Sequence, residues 1–154
     1  MPLHYLDTSA LVKRYLPEPG SGWVNSLISS DPVAVSLLAA VELASALARR
    51  TREGDLTPEQ RDMVFGSFLA DARDYVMLAV TQGITEDAAA MLLTSPPSVA
   101  LRTLDALHLA AARVAFARAR RRGLETGAFV TADRALAQAV TWAGLTAINP
   151  EDYP

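Results

Sequence analysis

His4-Tyr5-Leu6-Asp7-Thr8-Ser9-Ala10-Leu11-Val12-Lys13 is the stretch that decides the fold. The triplet before Asp7 is short and largely apolar, as a buried strand requires, and the residues after it carry apolar side chains at helical spacing. Asp7 stands at the junction, where an aspartate caps a helix well. A strand running through an acid into a helix opens a βα unit. In parallel sheets built from such units, ligands gather outside the carboxyl ends of the strands, which makes Asp7 a candidate for chemistry as well as for capping.

The same alternation continues outward from this segment. Strands are expected at His4 to Leu6, Val33 to Ser36, Tyr75 to Val80, Ala128 to Thr131 and Thr146 to Ile148. Helical periods fill the gaps: Ser9 to Tyr15, Gly22 to Ser29, Leu37 to Thr51, Pro58 to Arg73, Thr85 to Leu93, Thr103 to Arg122 and Arg134 to Ala143. Pro17, Pro19 and Gly20 mark a turn, Pro96 and Pro97 stop a helix, and Gly123 ends the longest one. Thr57 can cap a helix opening at Pro58, so Leu37 to Arg73 reads as a helical hairpin. The pattern favours an α/β protein with a parallel sheet covered by helices. Residues 1–154 are expected to form a single domain.

Composition removes several classes of function. The chain is 51% hydrophobic and 20% charged, ordinary for a folded globular protein. It has no cysteine and only His4 and His108, so the usual zinc site of sulfur and nitrogen ligands cannot be assembled within one chain. Any metal must sit on oxygen. No run approaches the roughly 18 uncharged apolar residues that span a bilayer, and the start lacks a basic leader, so a cytoplasmic protein without a membrane segment is expected. A net charge of -3 argues against coating nucleic acid through bulk positive charge. The dense run Arg118, Arg120, Arg121 and Arg122 lies at a helix end, where cations complement the dipole.

Four acids fall where such a sheet would gather them. Asp7 follows the first strand, and Asp133 follows the strand-like Phe129-Val130-Thr131. Glu42 lies about two turns into the helix after Val33 to Ser36, and Asp105 opens the long helix within Arg102-Thr103-Leu104-Asp105-Ala106-Leu107-His108. Capping alone accounts for an isolated Asp7, Asp105 or Asp133, and Glu42 belongs to a polar helical stripe with Ser45, Arg49 and Arg52. Together the four would repel by about 4 kcal/mol per close pair at an effective dielectric near 20. A hard divalent cation such as Mg²⁺ or Mn²⁺ neutralises such a group.

The words around these acids, Tyr-Leu-Asp-Thr-Ser-Ala-Leu-Val-Lys, then Glu42, then Leu-Asp-Ala-Leu-His-Leu-Ala, then Phe-Val-Thr-Ala-Asp, closely resemble the PIN-domain family in order and spacing. Within it they are nearest to VapC-type toxins, the ribonuclease halves of toxin-antitoxin pairs. The resemblance covers essentially the whole chain. It implies a three-layer α/β/α sandwich around a central, mostly parallel sheet of four to five strands. It also implies that Asp7, Glu42, Asp105 and Asp133 bind Mg²⁺ or Mn²⁺ and hydrolyse RNA phosphodiester bonds. A cognate VapB-like antitoxin and a homodimer are implied as partners.

Around the acids, Thr8, Ser9 and Thr131 can donate hydrogen bonds that orient the carboxylates. Arg102 and Arg134 flank two of them and either take surface or ion-pair roles or hold RNA phosphates. His108 is expected in packing or at a polar rim, and Trp23 and Trp142 as apolar anchors. The hairpin residues Leu43, Leu47, Val64, Phe65, Phe68 and Leu69 can pack inside the fold or across an interface. Asp7-Thr8-Ser9 lacks the second aspartate of a haloacid dehalogenase, and Gly20-Ser21-Gly22 lacks the third glycine of a dinucleotide loop. The remaining rival is a non-catalytic module of the same fold that binds RNA or protein.

Overall fold

Strand β1 (Leu3–Leu6) is buried along its whole length at the centre of the sheet. The computed structural model describes residues 1–153. Four residues suffice for β1 because its side chains alternate between two apolar cores: Leu3 and Tyr5 enter one, Leu6 the other. β2 (Val33–Ser36) and β4 (Thr126–Val130) alternate likewise. They send Ala34 and Phe129 to the first core and Val33, Val35 and Val130 to the second. The short edge strands β3 (Val76–Leu78) and β5 (Ala147–Ile148) complete a five-stranded sheet of order β3-β2-β1-β4-β5. Every pairing in it is parallel.

Helices α1 (Thr8–Tyr15), α2 (Ser21–Ser30), α3 (Leu38–Arg52) and α4 (Pro58–Asp71) close one core with Leu11, Val24, Leu43, Leu47 and Phe68. Helices α5 (Gln82–Thr94), α6 (Thr103–Arg121) and α7 (Arg134–Trp142) close the other with Ile84, Met91, Leu109, Phe116 and Leu136. The expected three layers are present. From β1 the chain steps outward to β2 and β3 with helices on one face, then crosses back to β4 with helices on the other. Right-handed crossovers require that change of face when the direction reverses. The reversal falls between β1 and β4, the kind of switch point at which parallel α/β sheets bind ligands.

Most boundaries agree with the sequence to within one or two residues, and the exceptions have local causes. The strand expected at Tyr75 to Val80 shortens to three residues, because it is an edge strand and Tyr75 instead bonds the Tyr15 hydroxyl at 2.9 Å. Helix α5 begins three residues before the expected Thr85, since the Thr81 hydroxyl accepts from the Ile84 N–H. The hairpin of α3 and α4 is as expected, with Thr57 and Gln60 forming a reciprocal capping box ahead of Pro58. A 3-10 turn at Pro150–Asp152 is new to the structure. Buried Lys13 holds it through Glu151 at 2.8 Å and also bonds Glu18 at 3.2 Å, and Trp23 stacks on Tyr153. Gly20 has φ 85°, and a Cβ there would meet the Pro150 carbonyl oxygen at 2.5 Å. Of the hairpin's apolar residues, Leu43, Leu47 and Phe68 are core, Val64 and Phe65 are half-buried and Leu69 is exposed. Leu47, Phe65 and Leu69 line a groove of about 450 Å³. Among the described residues no helix is long and apolar enough to cross a membrane.

Candidate active site

Asp7 leaves β1 in extended conformation and caps α1, accepting from the Ala10 N–H at 2.9 Å. The hydroxyls of Ser9 and Thr131 donate to its two oxygens at 2.7 and 2.6 Å. Both hydroxyls are themselves oriented by the turn after β4: Ser9 accepts from the Ala132 N–H and Thr131 from the Asp133 N–H. The turns after β1 and β4 are thereby tied into one network. Burial pushes the Asp7 carboxyl above the usual carboxylate range, even though Thr131, the nearby His108, Ser9 and the Ala10 amide all act to lower it.

Glu42 reaches the same edge from α3. The Thr8 hydroxyl donates to its Oε1 at 2.9 Å, and His108 Nε2 lies 2.5 Å from the same oxygen. Burial acts to raise Glu42, but the hydrogen bond and charge of His108, with Thr8, outweigh it and hold the carboxyl below its usual range. On its other side His108 Nδ1 lies 2.8 Å from the Tyr5 hydroxyl. Burial, then the charges of Asp7 and Glu42, keep that phenol protonated by driving its pKa well up.

Asp105 and Asp133 form a second pair, gathered by Arg102. The Arg102 guanidinium donates through Nε to Asp105 Oδ2 at 2.9 Å and through Nη2 to Asp133 Oδ2 at 2.7 Å. Its backbone N–H also donates to Asp105 Oδ2 at 3.3 Å, which satisfies one amide at the start of α6. The remaining oxygen of Asp133 caps α7 through the Ala135 and Leu136 amides. Arg134 is turned away from the acids, 3.3 Å from Asp152.

The four acids therefore lie along one hydrogen-bonded edge: Thr131 ties Asp7 to the Asp133 turn, Arg102 joins Asp133 to Asp105, and Thr8 and His108 hold Glu42. Their donor atoms are all oxygen, suited to a hard divalent cation, and one pair is already assembled around a positive charge. As arranged, the described residues contain no group of three or more acidic or histidine side chains close enough to enclose an ion.

Two residues matter more here than the sequence suggests. His108 is buried and links Tyr5 to Glu42, rather than packing passively or lining a rim. The available signal is spacing: His108 is one turn after Asp105, and Tyr5 is two residues before Asp7 on the strand face toward α6. Arg102 takes the ion-pair role open to it from the sequence, and does so on two of the acids at once. Trp142 is partly exposed rather than a core anchor. The arginines at the end of α6 are remote: Arg120 and Arg121, with Arg113 from the middle of the helix, line a cleft of about 530 Å³. Arg121 lies about 24 Å along the helix from Asp105 at 1.5 Å rise per residue.

Comparison with known proteins identifies the family and the fold. The PIN domain family model matches residues 4–140. The chain is 32% identical over 151 residues to ribonuclease VapC47 of Mycobacterium tuberculosis, covering 95% of this chain and 96% of that protein. Among solved structures, VapBC2 from Rickettsia felis bound to a promoter DNA fragment superposes with a TM-score of 0.63 at 15% identity, over 96% of this chain and 98% of that one. The sarcin-ricin loop cleaving toxin VapC20 of Mycobacterium tuberculosis gives 0.59 at 19% identity, over 88% and 94%. At those identities the structures testify to the fold, and the family rests on the sequence matches: the chain belongs to the PIN-domain family, in its VapC-type branch.

Proposed function

We propose that this chain is an endoribonuclease toxin that hydrolyses RNA phosphodiester bonds at the edge formed by Asp7, Glu42, Asp105 and Asp133. The reading is supported by the hydrogen-bonded edge that links these acids beside the β1/β4 switch point, in a chain 32% identical to a ribonuclease over 95% of its length. Mg²⁺ or Mn²⁺ held there supplies an activated water and offsets charge developing on the scissile phosphate. The chain's own contribution is preorganisation. Ser9, Thr131 and the Ala10 amide fix both oxygens of Asp7, while Thr8 and His108 fix Glu42. Arg102, once its head leaves the acids, and Arg134, by turning from Asp152, would offer exposed guanidinium groups suited to RNA phosphates.

A VapB-like antitoxin is the expected inhibitor, in keeping with toxin-antitoxin complexes of the same fold such as that from Klebsiella pneumoniae. A homodimer acting on cytoplasmic RNA, with the chain forming one domain, completes the proposal. The test is cleavage of total RNA with Mg²⁺, with Mn²⁺ and with EDTA, by the wild type and by Asp7→Asn and Asp105→Asn. Cleavage confined to the metal-loaded wild type supports the nuclease. Folded wild type that binds RNA and leaves it intact points to a non-catalytic module, and equal cleavage by the variants removes the acids from the mechanism.

A further inference from the structure

We infer that Arg102 is a built-in counter-cation which a divalent metal must displace, so that this side chain sets how tightly the acidic edge takes Mg²⁺ or Mn²⁺. The inference rests on the nuclease reading above and extends it to the metal-free state of the site. Arg102 occupies the cap position of α6, where serine, threonine, asparagine or aspartate is usual. It uses the position differently, sending its guanidinium back over the helix start to two carboxylates from separate elements. Nε bonds Asp105 Oδ2 at 2.9 Å, and Nη2 bonds Asp133 Oδ2 at 2.7 Å and reaches Asp105 Oδ1 at 3.4 Å. Asp133 Oδ1 is committed to the amides of α7. Within this pair, the oxygens left for an ion are therefore those that Arg102 holds.

Geometry makes the two cations exclusive. A planar guanidinium spaces its acceptors for nitrogen-oxygen contacts near 2.8 Å, whereas Mg²⁺ needs oxygens at about 2.0–2.1 Å. The pair must close inward for an ion, and as arranged the described residues hold no ready group of three ligands. Leaving is easy for Arg102, because its side chain is 74% exposed and its head can pass into water. The backbone N–H bond to Asp105 does not depend on the guanidinium, so the start of α6 stays capped when the head departs.

Calorimetric titration of Mn²⁺ into wild type, Arg102→Gln and Arg134→Gln tests this. If the Arg102 bridge is formed about nine-tenths of the time, Arg102→Gln binds Mn²⁺ about tenfold more tightly. Arg134→Gln removes the same charge from the same neighbourhood and leaves the affinity near that of wild type. Thermal unfolding in EDTA gives a second readout: Arg102→Gln melts below wild type and regains more on adding Mn²⁺. Equal or weaker Mn²⁺ binding by Arg102→Gln overturns the inference and leaves the nuclease reading standing. Equal tightening by Arg134→Gln also overturns it, since bulk charge then suffices. Absence of Mn²⁺ binding by all three folded proteins defeats the nuclease reading itself, and the inference with it. Should Arg102→Gln fold poorly, Arg102→Lys keeps the charge and loses the fork. Tighter Mn²⁺ binding by Arg102→Lys than by wild type then supports the inference, and equal or weaker binding overturns it.

Discussion

The imidazole of His108 spans Glu42 and Tyr5, with Nε2 2.5 Å from the carboxylate and Nδ1 2.8 Å from the phenol. Because the Glu42 carboxylate can only accept, Nε2 presents its N–H to it, and Nδ1 pairs with the Tyr5 hydroxyl. The orientation of a carboxylate on α3 thus depends on a hydroxyl in the central strand. Tyr5→Phe keeps the buried ring and deletes the hydroxyl, leaving Nδ1 unpaired in the core. It should cost about 1–3 kcal/mol of stability. RNA cleavage should fall by about tenfold, the lower end for a lost outer hydrogen bond at a metal site. Chemical denaturation and initial cleavage rates check both; unchanged stability would show that the hydroxyl bond contributes nothing.

Asp7 carries a stability cost at neutral pH. Its folded-state carboxyl titrates above the unfolded value, so the unfolded chain ionises first as pH rises, and the penalty is complete above the raised folded value. In EDTA at pH 7, Asp7→Asn should therefore melt higher than wild type, by about 2–4 °C if about 1 kcal/mol is recovered. Asparagine still accepts from Ala10 and Ser9, and the Thr131 hydroxyl can rotate to accept from its amide. The advantage should fade as pH falls through the raised folded value and vanish only below the ordinary value of 3.8, where both states of the wild type are protonated. A variant that melts lower at pH 7 would show that the lost charge was stabilising. RNA cleavage by Asp7→Asn should be abolished in the same preparations.

The route from sequence to fold is short because β1 announces itself: an apolar triplet, an acid and a helical period in ten residues. Capping residues make several helix starts legible, as with Thr57 and Pro58, whereas Thr81 has no proline after it to mark a helix start, and α5 begins earlier than its apolar period suggests. At the site, positions along the chain locate the acids at the right sheet edge, since each follows from where its strand or helix begins. Pairing is another matter. That Arg102 joins Asp105 to Asp133 depends on side-chain rotamers across two elements, 31 residues apart in sequence. That His108 serves Glu42 depends on how α6 is rotated over the sheet, and periodicity gives no absolute rotation for a helix buried on most sides.

His4 provides an acid-sensitive contact away from the site. Its Nδ1 accepts from the Ala128 N–H at 3.0 Å, an arrangement that needs an unprotonated nitrogen. Burial lowers its pKa, with Asp31, 3.9 Å from Nε2, pulling the other way. The unfolded chain takes up the proton first, so stability is full above about 6.5 and declines as pH falls toward the lowered folded value. Asp31→Asn removes the support for the imidazolium and should steepen that decline. His4→Gln should flatten it. Unfolding midpoints between pH 7 and 5 decide the matter, and superimposable profiles for wild type and His4→Gln would exclude His4 as the titrating group.

Gly127 is glycine because the same imidazole fills the space its side chain would take. A Cβ there would press on His4 Cε1 and lie 2.6 Å from Nδ1, well inside contact distance. The ring cannot simply turn aside, since Nδ1 is fixed by the Ala128 amide in the neighbouring strand. Gly127→Ala should therefore destabilise by about 1–3 kcal/mol, as overpacking of a core does. In a His4→Ala background the space is open, and the same added methyl should cost little or nothing. The double-mutant cycle should then return a coupling of about 1 kcal/mol or more between residues 123 positions apart in the chain. Additive costs would mean that β4 shifts to accept the methyl whatever the ring does, and that the β1–β4 register near Leu3 is softer than its pairing implies.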